Sequence, residues 1–343
     1  MLRRAIALLL VLATASAAVA GWVVTRLERA STRPLTLEGG RDYHVVRPGA
    51  SFAQVMRELA DRGLLEHPRL LALEARYNGT AGSIKAGEYQ LDSGMTPRDL
   101  IRKMIAGEVA MHAFTIVEGW TFAQLLAALR GNEIITHTLE EPSPAAVMKA
   151  IGKPDVHPEG RFFADTYHFP RGTTDVAFLR RAYDTMAGEL QRAWAGRAPD
   201  LPLRNPDEAL VLASIVEKET GVGHERPRIA GVFVRRLKRG MRLETDPTVI
   251  YGLGDEFDGN LTRRHLRTPT PYNTYVIQGL PPTPIALPGR DSIAAVMHPA
   301  DGDALFFVAR GDGEHQFSAT YAEHLRAVER YQLRRRRGEG ASQ

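Results

Sequence analysis

The sequence predicts an α+β fold that follows an N-terminal membrane-spanning helix. Three observations lead to this prediction: an uncharged apolar run near the N-terminus, a recurring pattern of strand, glycine turn and helix, and a helix-rich C-terminal half that includes a hairpin. The chain has 343 residues, of which 44% are hydrophobic and 24% are charged. This composition is typical of globular proteins, and the length suggests about two domains.

The first element is an apolar segment long enough to cross a bilayer. Arg3 and Arg4 precede the uncharged residues 5–24, which as a helix span about 30 Å, the thickness of the hydrocarbon core. Residues 18–20 resemble a small-residue cleavage site, so a removed signal peptide is the alternative. The run continues past this site and Trp22 suits a membrane interface, which favours an uncleaved anchor. Either interpretation leaves the rest of the chain outside the cytoplasm.

Three strand–turn–helix units follow a polar segment at residues 28–42. Each unit has a strand-like run, a glycine for the turn, a Ser or Thr that can cap a helix, and apolar residues at helical spacing. The glycines are Gly49, Gly94 and Gly119, and the capping residues are Ser51, Thr96 and Thr121. Because the spacing of the units is irregular, they indicate small α+β modules and not a solenoid.

The C-terminal half begins with a strongly signalled helix. Asn205 can cap it, Pro206 suits its first turn, and Gly221 ends it after about Thr220. A second helix is predicted over residues 226–239, followed by an irregular proline-rich segment at 241–290. A hairpin is predicted from residues 304–308 and 315–317. A terminal helix from about Thr320 is expected to end in the basic run 334–337.

The composition and the motif search exclude several kinds of chemistry. The chain has no cysteine, so it has no disulfide, thiolate metal site, iron–sulfur cluster or thiol nucleophile. A net charge of +4 is too small to indicate nucleic-acid binding. His224 and Glu225 start a zinc-protease-like string, but Arg228 stands where the second histidine is needed. We therefore predict no metal, no cofactor and no nucleic-acid partner.

The predicted helix at 206–220 carries a candidate general acid. Glu217 and Glu219 lie about 200° apart around a helix, so they cannot share one site. Glu219 follows a strip of large apolar residues, whereas Glu217 follows a smaller and more polar strip. A carboxyl beside apolar neighbours has a raised pKa and can donate a proton near neutral pH. The alternative is an acid that is simply exposed at the end of the helix.

Downstream segments mix aromatic rings, amides and rigid turns, which is what a glycan-binding groove needs. Asp246, Tyr251, Asn273 and Tyr275 are the candidate substrate-binding residues. The same residues could instead belong to a packed loop region.

Several ordered motifs resemble those of the endolytic murein transglycosylase family. The three longest are LASIVEKET at residues 212–220, MRLETDPTVIYG at 241–252 and PYNTY at 271–275. Shorter matches are GLPP at 279–282, PG at 288–289, HP at 298–299 and HQF at 315–317. A slight departure is Ala164, which stands where the family pattern has proline. The resemblance extends from about Tyr43 to the terminal helix.

The resemblance implies a single-pass inner-membrane protein with its catalytic domain in the periplasm. It divides the chain into a cytoplasmic stub and anchor (1–27), a linker (28–42), a LysM-like module (43–112), a catalytic domain (113–335) and a tail (336–343). It implies non-hydrolytic cleavage of the MurNAc–GlcNAc bond within nascent peptidoglycan strands, with 1,6-anhydroMurNAc ends as products. The implied partners are glycan strands and cell-wall synthases of the penicillin-binding class.

The family's catalytic acid falls on Glu219, the residue that the helical-face argument also favours. A lytic transglycosylase needs only one carboxyl, because the C6 hydroxyl of the sugar replaces the activated water of a glycosidase. Two other functions remain open on the sequence: a membrane-tethered peptidoglycan-binding scaffold without catalysis, and a muramidase that uses water.

Overall fold

The N-terminal apolar run forms one long helix, α1 (Leu2–Thr32), in a computed structural model that describes residues 2–333. The most apolar 18-residue window within residues 3–32 has a mean hydropathy of 2.2, and none of that window is buried inside the structure. The helix is long and apolar enough to cross a membrane, as an anchor or a signal sequence would be. It continues into the predicted linker because Leu27 and Ala30 pack into a hydrophobic core.

The chain divides into two units. The first comprises residues 1–112 and 168–172, and the second comprises residues 113–167 and 173–343. The predicted run at 334–337 and the predicted tail at 336–343 lie outside the described residues.

In the first unit, α1 is joined by two paired strands and three short helices. These are β1 (Arg41–Val46), α2 (Phe52–Asp61), α3 (Pro68–Tyr77), β2 (Gly87–Asp92) and α4 (Pro97–Ala106). Strands β1 and β2 are antiparallel, with His44 opposite Tyr89. Helices α2 and α3 lie between the two strands in the chain, and Tyr89 is fully buried at the centre of the core.

The three predicted strand–turn–helix units are confirmed. The capping hydroxyls of Ser51, Thr96 and Thr121 each accept a hydrogen bond from a backbone N–H in the first turn of the following helix. The turn glycines before them have φ values of 80°, 90° and 76°, a left-handed conformation that favours glycine. The third strand, β3 (Met111–Thr115), begins and ends slightly earlier than the sequence indicates, and it pairs with β4 (Thr166–Pro170).

The second unit is mainly helical. Its helices are α5 (Phe122–Arg130), α6 (Pro144–Ala150), α7 (Asp175–Ala195), α8 (Pro206–Glu219), α9 (Arg226–Lys238), α10 (Asp246–Leu253), α11 (Arg263–Arg267), α12 (Arg290–Met297) and α13 (Tyr321–Val328). Helices α8 and α9 match the two predicted helices closely. Helix α10 falls in the segment predicted as irregular, and it forms because Pro247 occupies its first turn.

The core of the second unit surrounds α8. Its residues 209–216 are all buried, and α7, α9 and α12 pack against them. The predicted hairpin is confirmed as β5 (Phe306–Ala309) and β6 (His315–Ser318), with Phe307 opposite Phe317. These elements hold the end of α8 and the hairpin in one unit.

Candidate active site

Helix α8 carries Glu219 in its last turn. The Asn205 side chain accepts a hydrogen bond from the N–H of Glu208, and Pro206 occupies the first turn, as the sequence predicts. The Glu208 carboxylate bonds to Arg204 and not back to Asn205, so the capping box is incomplete. The helix ends where Thr220 becomes extended. The buried middle of the helix, residues 209–216, thus supports the turn that carries Glu219.

Glu219 lines a cavity of about 360 Å³. Its walls include the segment after α9, the loop after α11 and the β5–β6 hairpin. Six of its lining residues are Glu219, Thr245, Asp246, Tyr275, Phe306 and His315. The cavity therefore combines carboxyl, hydroxyl, imidazole and aromatic groups, the side chains that glycan-binding sites use.

The Glu219 carboxyl is held by a hydroxyl and not by a cation. The Thr245 hydroxyl donates a hydrogen bond to Glu219 Oε1. Burial raises the pKa of Glu219 to about 7; the hydrogen bond from Thr245 lowers it, the Asp246 carboxylate raises it further, and His315 lowers it. At neutral pH a large fraction of Glu219 is thus protonated, as a general acid must be.

Threonine hydroxyl contacts fix the position of Thr245. Its N–H donates to Thr274 Oγ1 at 3.0 Å, and the hydroxyls of Thr248 and Thr274 lie 2.9 Å apart. Thr248 and Thr274 are fully buried. Glu244, which precedes Thr245, has a φ of 53°, a strained value for a residue other than glycine. The loop is therefore a rigid support for the hydroxyl that contacts Glu219.

Two of the predicted substrate-binding residues meet in the cavity. The Tyr275 hydroxyl donates a 2.7 Å hydrogen bond to Asp246 Oδ1. Burial and this hydrogen bond raise the pKa of Tyr275, so the hydroxyl stays protonated. Asp246 and Tyr275 therefore line the cavity as a hydrogen-bonded pair.

The structure does not bring the other two predicted residues into the cavity wall. The Tyr251 hydroxyl donates to Glu159 Oε2 at 3.0 Å. The Asn273 side chain is fully buried, and its amide donates to the carbonyl oxygens of His265 and Thr268 at 3.1 and 2.7 Å. Asn273 Oδ1 accepts from the N–H of Tyr275. Asn273 thus shapes the loop that carries Tyr275.

A carboxylate–imidazole pair that the sequence does not predict lies at the cavity. His315 Nδ1 lies 2.7 Å from Glu225 Oε2, and the His315 N–H donates to Glu225 Oε1 at 2.8 Å. Burial raises the pKa of Glu225, but the hydrogen bonds from His315 outweigh this effect and hold it below the ordinary value. The family-like motif at 315–317 points to His315. Its partner Glu225 lies 90 positions earlier in the chain, so no local pattern links the two residues.

Glu217 lies in a different environment on α8. Its Oε2 accepts from the N–H of Gly289 at 2.9 Å, and its Oε1 lies 3.5 Å from Arg226 Nη2. Arg226 also approaches Glu118 and Asp291. The side chains of Glu217 and Glu219 therefore lie in separate environments, as their positions about 200° apart around the helix predict.

No metal-binding group was found within residues 2–333: they contain no cluster of three or more His, Asp or Glu side chains with suitable grouping.

Comparisons with known proteins agree on a family. A family model described as YceG-like matches residues 44–330. An endolytic murein transglycosylase of Bacillus subtilis (strain 168) is 30% identical over 301 residues, covering 82% of each chain. A protein of the same name from Streptococcus pneumoniae serotype 2 is 26% identical. The match covers 82% of this chain and 56% of the length of the streptococcal protein.

A solved structure shows the same fold. The crystal structure of a YceG-like protein from Listeria monocytogenes aligns with 83% of this chain and 98% of its own, with 28% identity and a TM-score of 0.52. Sequence and structure matches both cover most of the chain. On these grounds the chain belongs to the YceG-like family.

Proposed function

We propose that this protein is a lytic transglycosylase that cleaves the MurNAc–GlcNAc bond within peptidoglycan strands without water. Its products are strands with 1,6-anhydroMurNAc ends, and the cleavage terminates glycan elongation. The observation that carries the proposal is Glu219, a carboxyl buried in a polar cavity with a pKa of about 7. The endolytic murein transglycosylases similar to this chain support the choice of substrate.

In the first step, Glu219 acts as a general acid. Its protonated carboxyl donates to the glycosidic oxygen as the bond between that oxygen and C1 of MurNAc breaks. Because Thr245 donates to Oε1, Oε2 is the oxygen left to carry the proton. The raised pKa of about 7 leaves a large fraction of Glu219 protonated at neutral pH, so the leaving oxygen can depart as a hydroxyl.

In the second step, the C6 hydroxyl of the same sugar attacks C1 and closes the anhydro ring. The hydroxyl must lose its proton, and the Glu219 carboxylate formed in the first step can accept it. The acid is then restored without a water molecule. One carboxyl is sufficient because the nucleophile is part of the substrate, whereas hydrolytic glycosidases use two.

The other candidate residues contribute to substrate positioning. Asp246 and Tyr275 form a hydrogen-bonded pair on the cavity wall, and we propose that they bind sugar hydroxyl or amide groups. Tyr251 and Asn273 are proposed to act indirectly, since one donates to Glu159 and the other shapes the loop of Tyr275.

A muramidase that uses water is the second candidate. The observation in its favour is Asp246, a second carboxylate that lines the same cavity as Glu219. In such an enzyme Asp246 would be the base or nucleophile that hydrolytic glycosidases need. The two candidates differ in their products, because hydrolysis leaves reducing MurNAc ends.

Mass analysis of the digestion products distinguishes the candidates. Full-length protein in detergent is incubated with uncrosslinked glycan strands, and the new ends are identified. We expect anhydro ends, one water lighter than reducing ends, and no cleavage by Glu219→Gln. Reducing ends would support the muramidase instead. No new ends with the wild-type protein, together with an unchanged cellular phenotype in Glu219→Gln, would support a scaffold without catalysis.

We also propose a place in the cell for each part of the chain. Residues 1–27 are the anchor of a single-pass inner-membrane protein, residues 28–42 a linker, and the catalytic domain at 113–335 faces the periplasm. The order strand, helix, helix, strand from β1 to β2 supports a LysM-like, glycan-binding role for residues 43–112. Cell-wall synthases of the penicillin-binding class are the proposed partners.

A further inference from the structure

We propose that His315 is a second catalytic residue of the cavity, which takes the proton of the C6 hydroxyl, and that Glu225 is its positioning residue. This inference rests on the transglycosylase function proposed above. It assigns to His315 the second proton transfer, which Glu219 would otherwise perform alone.

Glu225 fixes the orientation of the His315 imidazole ring. Both Glu225 oxygens are occupied by His315: one accepts from its backbone N–H at 2.8 Å, and the other lies 2.7 Å from Nδ1. A carboxylate can only accept, so Nδ1 carries a proton. In neutral His315 the lone pair is therefore on Nε2, the atom that a base uses.

The Glu225–His315 pair is largely buried. Glu225 is only 1% exposed and the His315 side chain 12%. Phe307 packs edge-to-face against the imidazole, with ring centroids 5.4 Å apart. The ring is thus held on one side by a carboxylate and on another by an aromatic wall. Such contacts are typical of a catalytic histidine whose imidazole ring must be held in one orientation.

The position of His315 leaves its Nε2 atom available for a substrate. His315 lines the same cavity as Glu219, and Nε2 has no hydrogen-bond partner among the described residues of the protein. An acid and a base thus share one cavity, which suits a reaction that protonates one oxygen and deprotonates another.

The proposed step transfers two protons and replaces one bond at C1 of the sugar with another. The proton of Glu219 goes to the leaving oxygen as its bond to C1 breaks. The C6 oxygen forms the new bond to C1, and its proton goes to His315 Nε2. The imidazolium that forms is stabilised by the Glu225 carboxylate. Transfer of this proton back to the Glu219 carboxylate, directly or through solvent, restores both groups.

Asparagine and glutamine substitutions separate this role from a structural one. In His315→Asn the amide can replace Nδ1 as a donor to Glu225, but nothing replaces Nε2. We expect this variant to unfold near the wild-type temperature and to cleave about 10²-fold more slowly. Added imidazole should restore part of the rate, since the removed ring leaves space in the cavity. Glu225→Gln should show a smaller loss.

An exposed pair provides the matched control. His224 Nε2 lies 3.5 Å from Glu314 Oε1, and its side chain is 68% exposed. His224→Gln should cleave at the wild-type rate. If His315→Asn folds and cleaves within about twofold of the wild type, or if imidazole restores nothing, His315 is not the base. If the wild type itself gives no anhydro ends, the function proposed above fails, and this inference fails with it.

Discussion

The two sides of α8 differ in how they hold a carboxyl. Glu217 is buried beside Arg226, a guanidinium 3.5 Å away, and accepts from the N–H of Gly289. Glu219, two residues later, meets the Thr245 hydroxyl. Burial raises the pKa of Glu219 to about 7. Glu217 is held by ionic and backbone contacts, and Glu219 is the proposed proton donor.

This contrast supports the proposal that Glu219, whose carboxyl is held by the Thr245 hydroxyl, acts as a general acid. A buried carboxylate with a cationic partner keeps its charge, whereas one with only a hydroxyl donor is more stable when protonated. The helix separates the two environments because residues two positions apart point to nearly opposite sides. The predictions below test that contrast.

The largest expected effect is on the cleavage rate. Glu219→Gln should lower it by about 10³-fold or more, because the amide cannot donate the proton that the leaving oxygen needs. Glu217→Gln is the matched control on the same helix, and its amide oxygen can still accept from Gly289. We expect it to keep most of the rate. Equal losses in both variants would remove the functional distinction between the acids.

Stability should respond with opposite signs. In Glu219 the folded-state pKa is raised, so the wild type loses stability as pH rises from the unfolded pKa to about 7. Above this window Glu219→Gln should be more stable than the wild type, by on the order of 2 kcal/mol. Glu217→Gln should be less stable, since it weakens the ion pair with Arg226. Thermal unfolding at acidic and alkaline pH measures both, and the Glu219→Gln gain should vanish at acidic pH.

Removing the hydroxyl partner of Glu219 should have a smaller effect on cleavage. Thr245→Val keeps the shape but loses the donor, and we expect a rate about tenfold lower. The alkaline limit of activity should move upward, because the hydrogen bond from Thr245 lowers the pKa of Glu219. Thr245→Ser should restore the rate. A Val variant as active as the wild type would show that Thr245 does not support Glu219.

The smallest effect is expected at the edge of the cavity. Tyr275→Phe removes the hydrogen bond to Asp246 but leaves Glu219 and Thr245 in place. We expect kcat/KM for glycan strands to fall about fivefold, mainly through KM. A loss as large as that of Glu219→Gln would place Tyr275 among the groups that transfer protons.

The sequence allowed the local parts of this arrangement to be predicted. Helix periodicity separated Glu217 from Glu219, and turn and capping residues located the helix starts, because both depend on neighbours in the chain. Helix α10 was missed, since its first turn lies among turn-forming residues. The roles of Tyr251 and Asn273 could not be predicted, because their partners are set by tertiary contacts. The same limit applies to Glu225 and His315, which meet across 90 positions.

The most direct test of Glu219 as a buried acid is the pH dependence of kcat/KM for glycan cleavage by the wild type. Because the protonated carboxyl is the active form, kcat/KM should fall above a pKa of about 7, approaching about tenfold per pH unit. Glu217→Gln should show the same alkaline limb. An activity that already falls near the ordinary pKa of a glutamic acid, or one that stays constant through alkaline pH, would contradict a buried Glu219 as the proton donor.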